Sequence, residues 1–138
     1  MKMRIQTNAI RFRLNRKEVA ALAEAGHVQE SVEFSPAVGQ RLVYALEVDP
    51  ELSSVAADYQ EGRITVRLPR LQAGEWLETE RIGVESEQTL GNGRSLRILI
   101  EKDFQCLHAE NRQVEDEFDP DAYPNPSTDP NRQEVRSE

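Results

Sequence analysis

The chain has 138 residues and a formal net charge of −8, and residues 103–138 carry −7 of it, with ten acidic side chains against three basic. A nearly neutral body followed by an acidic stretch argues against nucleic acid as a partner, because the acids would repel the phosphate backbone. A lone cysteine excludes an intramolecular disulfide and a multi-cysteine zinc site, and no apolar run approaches the roughly 18 residues that span a bilayer, so a cytoplasmic protein without a membrane partner is expected.

Alternation dominates the body. Met3, Ile5 and Thr7 oppose Lys2, Arg4 and Gln6, and after a turn near Asn8-Ala9 the residues Ile10, Phe12 and Leu14 oppose Arg11 and Arg13, the period of a half-buried strand pair. No apolar stretch of signal-peptide length opens the chain. Asn15 is placed as an N-cap with Glu18 three residues on, Leu14 and Val19 hold the staple positions, and Val19, Leu22 and Ala23 form an apolar stripe that Gly26 ends. Strands are predicted over 28–34, 42–48, 55–59, 64–68, 82–87 and 96–101, with turns marked by Glu61-Gly62 and by Gly91-Asn92-Gly93. Between them Pro69 to Leu77 reads as a short helical turn that carries Leu71, Trp76 and Leu77 onto the core. No repeat of 20 to 50 residues is visible.

Sequential hairpins with one early helix predict a single α+β domain: a mostly antiparallel sheet, open or partly closed into a barrel, with one N-terminal helix and a C-terminal acidic extension. Three segments are expected: a body over 1–102, an acidic proline-containing segment over 103–126 packed on it, and a disordered tail over 127–138. Four of the seven prolines and none of the seven glycines fall after residue 102, which favours a stiff, extended segment. Phe104, Leu107, Phe118 and Tyr123 are its expected anchors, and residues 115–126 could alternatively be offered to a groove on another protein.

The chemistry-bearing residues admit bland readings. Arg4, Arg11, Arg13, Arg63, Arg67 and Arg97 recur on the polar strand face with Glu47, Glu85, Glu87 and Glu101, as on any wet sheet face whose charge pairs discourage edge association. A closed barrel would turn them inward into a tunnel for a polyphosphate with a magnesium ion, yet the first strand, Lys2-Met3-Arg4-Ile5-Gln6, lacks the Glu-x-Glu-x-Lys pattern usual in triphosphate tunnel enzymes. Cys106 and His108, two residues apart, could join Asp103 at a metal, but the set lacks the spacing of known zinc frameworks, and Cys106 between apolar neighbours reads as a small buried hydrophobe. Asp116 to Asp121 lacks the glycine of a calcium loop, and no phosphate-binding glycine motif is present. No cofactor is expected.

The opening Met3-Arg4-Ile5-x-x-Asn8-x-Ile10-Arg11-x-Arg13-Leu14, with Glu101-Lys102-Asp103-Phe104-x-Cys106-Leu107, Glu115-Asp116-Glu117 and Tyr123-Pro124-Asn125-Pro126, resembles a family of small uncharacterised bacterial proteins over about residues 1–126. The resemblance implies a bacterial cytosolic protein and carries over no activity or catalytic residue. The expected function is a non-enzymatic binding or structural module whose partner is another protein, with Arg11, Arg13, Arg63, Arg67, Phe118 and Tyr123 as the binding candidates. A metal-assisted hydrolase, or a phosphate- or nucleotide-binding enzyme using the Arg/Glu strand face, is the alternative.

Overall fold

The computed structural model describes residues 1–104, which run β1 (Lys2–Gln6), β2 (Ala9–Leu14), α1 (Arg16–Ala25), β3 (His27–Glu33), β4 (Arg41–Asp49), β5 (Ala56–Gln60), β6 (Arg63–Pro69), α2 (Arg70–Glu78), β7 (Gly83–Gly91) and β8 (Arg94–Lys102). Sheet A has the order β1-β2-β8-β7 and sheet B the order β3-β4-β6-β5. Each predicted hairpin pairs antiparallel, but β2 lies parallel to β8 and β4 parallel to β6. The architecture of the described residues is therefore two mixed sheets and no closed barrel. Turn and alternation signals specify pairing within a hairpin; which hairpins then meet is decided by burial between distant segments, which no local signal carries.

The element order is hairpin, helix, hairpin, twice over. Ile10-Arg11-Phe12-Arg13-Leu14-Asn15-Arg16 corresponds to Ile64-Thr65-Val66-Arg67-Leu68-Pro69-Arg70, and Leu46-Glu47-Val48-Asp49 to Ile100-Glu101-Lys102-Asp103, each at an offset of 54 residues. The ladders keep that offset: Arg13 pairs with Glu101 in sheet A, and Arg67 with Glu47 in sheet B. In β7 the offset grows to 56, since Gly83 opposite Glu101 takes the place of His27 opposite Glu47. Each half contributes one hairpin to each sheet, so neither sheet is complete within one half.

Local chemistry explains the parts. The β1–β2 turn sits on Thr7 and Asn8, one residue earlier than predicted, and the β5–β6 turn on Glu61 and Gly62; all four have positive φ, as a two-residue hairpin of matching twist requires. A Cβ at Gly62 would stand 2.9 Å from the Arg41 carbonyl oxygen, so the second turn needs glycine for space as well as for conformation. Asn15 Oδ1 accepts the Glu18 N–H at 2.9 Å while a Glu18 carboxylate oxygen accepts the Asn15 N–H at 2.9 Å, and Gly26 closes α1 at φ 80°. The predicted helical turn is a second full helix, α2, and Pro69 stands at its N-cap rather than its first helical position. Leu71 does not reach the core and is 77% exposed. It sits in the first turn of α2, whose buried side consists of Ala73 and Trp76.

The sheets face each other across one core built from Phe12, Leu14, Ile98 and Ile100 of sheet A and Leu46, Ile64, Val66 and Leu68 of sheet B. The helices add Leu22 and Trp76, which occupy the same place in the two halves and are both fully buried. Phe12 and Tyr44 meet between the sheets with ring centroids 6.1 Å apart, and the Tyr44 hydroxyl donates to the Met1 carbonyl oxygen at 3.0 Å. Burial, with a smaller contribution from Glu30, pushes the Tyr44 pKa up. A phenol whose pKa is higher folded than unfolded contributes stability that is complete below the unfolded value of about 10 and is lost as pH rises through the folded value. Denaturant midpoints measured across alkaline pH should therefore fall more steeply for the native chain than for Tyr44→Phe.

Candidate functional site

The arginines of the strands that pair with strand carboxylates do so on the outer faces of the sheets. In sheet A, Lys2, Arg4, Arg11, Arg13, Arg97, Glu85, Glu87 and Glu101 share one face by ladder register, opposite to Phe12, Ile98 and Ile100. In sheet B the corresponding face holds Arg63, Arg67, Glu47 and Asp58 around Ala45 and Thr65. The tunnel reading required these charges to point between the sheets, where apolar side chains are packed instead. It finds no support in the geometry.

Sheet A centres on Glu101. One of its carboxylate oxygens accepts from Arg11 Nη2 at 2.8 Å and lies 4.0 Å from Arg13 Nε, and the three side chains retain only 19%, 24% and 19% exposure for Arg11, Arg13 and Glu101. The Nε atoms of Arg11 and Arg13 are buried and have no hydrogen-bond acceptor. Two guanidiniums thus share one carboxylate, where a bidentate partner for each would be stronger. At the start of β1, Lys2 pairs with Asp103 at 2.8 Å, and across the sheet Arg97 pairs with Glu85 at 2.6 Å.

Gly83 is what lets Glu101 sit there. A Cβ on Gly83 would come within 2.7 Å of the Ile100 carbonyl oxygen and 3.0 Å of Glu101 Cγ, so backbone must move to admit it. Gly83→Ala is expected to cost about 1–3 kcal/mol through this overpacking, readable as a lowered urea midpoint. Sheet B accommodates His27 at the equivalent position.

Sheet B is better balanced. Arg67 hydrogen-bonds Asp58 and lies 3.5 Å from Glu47, while Arg63 reaches Glu47 at 3.7 Å and donates to Gln29 Oε1 at 3.1 Å. Arg63 on β6 must pass over β4 to meet Gln29 on β3, which is how Ala45, opposite Gln29, is fully covered on an outer face. The hydrogen bond to Asp58 raises the Arg67 pKa, opposed by desolvation and helped by the Asp58, Glu47 and Asp49 charges.

The four arginines singled out from sequence are therefore not one site: Arg11 and Arg13 belong to sheet A, Arg63 and Arg67 to sheet B. Asp103 is paired with Lys2, while Cys106, His108, Phe118 and Tyr123 lie outside the described residues, as does most of the segment 103–126. Phe104 is described and is 59% exposed. Sequence reasoning gave no separate weight to Glu101 as the shared acceptor or to Gly83; an aligned comparison of the two halves would have found the first. Beside α2 an open groove of about 760 Å³ is lined by Pro50, Leu52, Leu71, Gln72, Glu75 and Glu78, and one of its two carboxylates, Glu75, already faces Arg81 at 3.2 Å. Among the described residues no three His, Cys, Asp or Glu side chains are grouped to hold a metal ion.

The family relationship can be set on this geometry. Residues 1–127 match a family of unknown function, DUF7009, a span that takes in the whole two-half body and the segment that leaves it. The chain belongs to that family. The membership agrees with the resemblance to an uncharacterised family and, like it, assigns no reaction. No curated protein and no solved structure shows significant similarity to the chain. Among the described residues, no helix is long and apolar enough to cross a membrane.

Proposed function

We propose that the protein is a non-enzymatic module of the bacterial cytosol that binds another protein through its acidic C-terminal segment. The observation that carries the reading is the separation of charge. The body pairs Arg11, Arg67 and Arg97 with carboxylates on two outer sheet faces over an apolar interior, while the excess negative charge is concentrated after residue 102. A carboxylate-rich stretch interleaved with Phe118 and Tyr123 has the chemistry to meet a basic, aromatic-accepting groove. Electrostatic attraction of this kind speeds encounter and is weakened by salt.

The test compares the full chain with a full-length variant carrying E115Q, D116N, E117Q, D119N and D121N, using cross-linking in cells followed by mass spectrometry. Partners captured by the native chain and lost with the variant are expected. An unchanged set of partners for both proteins would sink the recruitment reading.

A further inference from the structure

Each sheet ends in two edge strands, β1 and β7 in sheet A and β3 and β5 in sheet B. Edges of this kind pair with other chains unless something blunts them, and three of the four are blunted. Gln88 of β7 covers the middle of β5, accepting the Ala57 N–H at 2.7 Å and donating to the Ala57 carbonyl at 2.9 Å. β7 is irregular between Thr89 and Gly91 and carries Glu85 and Glu87, and a copy aligned antiparallel about its middle would set Glu87 against Glu87. β1 is short and carries Lys2 and Arg4. β3 has none of these devices. It runs for 7 residues without Lys, Arg or Pro, and its ladder with β4 keeps one register throughout.

The Phe34 N–H donates to the Gln40 carbonyl at 2.8 Å, and the Gly26 carbonyl accepts the Val48 N–H at 2.9 Å. Even-numbered residues of β3 therefore turn their backbone groups to β4, and His27, Gln29, Ser31 and Glu33 turn theirs to the open edge. Beside that edge Val32 is 44% exposed and Phe34 70% exposed. We infer that β3 pairs antiparallel with β3 of a second copy of this chain, centred on Ser31, so that sheet B continues across a two-fold axis. Charge selects both the occupant and the register. With Ser31 on the axis, Gln29 stands opposite Glu33 of the second copy on the outer face. Arg63 already donates to Gln29 Oε1 at 3.1 Å, while its own carboxylate, Glu47, lies at 3.7 Å, so the incoming Glu33 meets a guanidinium with capacity for it. The two-fold makes that contact twice. Centring the pair on Glu30 or on Glu33 would instead oppose like charges. On the inner face the Ser31 register sets Phe34 opposite Val28 of the second copy, an aromatic on a β-branched side chain. The pairing is made by the body alone and stands or falls separately from recruitment through the acidic segment.

Sedimentation equilibrium on the purified full chain, over a broad range of concentration, measures the association. The native chain is expected to be dimeric, Ser31→Pro monomeric, and Tyr59→Pro as dimeric as the native chain. Ala57 meets Gln88 on the side of β5 away from β6, so Tyr59, two residues on, also turns its N–H to an open edge. Neither proline then removes a hydrogen bond from its own ladder, and edge positions of this kind accept proline. Circular dichroism checks that both variants keep the native strand content. A native chain that stays monomeric at every concentration would overturn the inference, as would a folded Ser31→Pro dimer or an equal loss of dimer in Tyr59→Pro. If Ser31→Pro does not fold, Glu33→Lys carries the test, because it sets a cation beside Arg63 of the second copy on an exposed face. It is expected to raise the dimer dissociation constant about tenfold at low salt and by less as salt rises. An unchanged constant would reject the pairing.

Discussion

Trp76→Ala is expected to be the most damaging single change in the body, at about 3–5 kcal/mol, the range for truncating a fully buried large aromatic. Trp76 is 0% exposed and its Nε1–H donates to the Ile82 carbonyl at 2.9 Å, holding the connection into β7. The substitution removes the ring from the core between the sheets and leaves that carbonyl without its donor. Against a total stability of about 5–15 kcal/mol the loss is large, and at about 4–8 °C per kcal/mol for a domain of this size it lowers Tm by at least about 12 °C. Trp76→Phe keeps most of the packing and loses the hydrogen bond, so it is expected to fall well short of the alanine variant. Leu71→Ala, on the exposed side of the same helix, should change stability by less than about 0.5 kcal/mol. A thermal melt of the three proteins checks the order.

The second large effect separates the two halves. Glu101→Gln is expected to cost about 1–3 kcal/mol, because it leaves Arg11 and Arg13, both about four-fifths buried, without the carboxylate they share. Glu47→Gln, at the equivalent place in sheet B, is expected to cost less than about 1 kcal/mol, since Glu47 is about one-third exposed and Arg67 keeps Asp58. The parallel ladder register around the two carboxylates is alike, so the difference reports how deeply each is buried and how its arginines are otherwise partnered. Urea unfolding of the two variants measures it; equal losses would mean that the two networks are equally supported.

Much of the fold was legible residue by residue. The hairpins followed from alternation and from Glu61-Gly62 and Gly91-Asn92-Gly93, and the Asn15–Glu18 reciprocal cap could be read because both partners lie within four residues. The extent of α2 could not. It has no side-chain cap, and its stripe is reduced to Ala73 and Trp76, so propensity and periodicity say little. The parallel pairs were hidden for a different reason: β2 meets β8 and β4 meets β6 across most of the chain, and strand pairing at that range depends on collective burial. The duplication lay just beyond the 20 to 50 residue window, with Ile-x-x-Arg-Leu-x-Arg repeating at 54. Once it is aligned, the site becomes legible as well. Arg13 with Glu101 and Arg67 with Glu47 are one pair written twice, and Arg4 against Asp58 is a position where the two faces differ.

The most direct measurement bears on recruitment through the acidic segment. Capture of partners by the full chain is quantified at low and at raised ionic strength for the native protein and for the five-amide variant of residues 115–121. The account predicts partners that the native chain holds at low salt and loses as salt rises, and that the variant holds at neither. Partners held equally by the two proteins at every ionic strength would contradict the account.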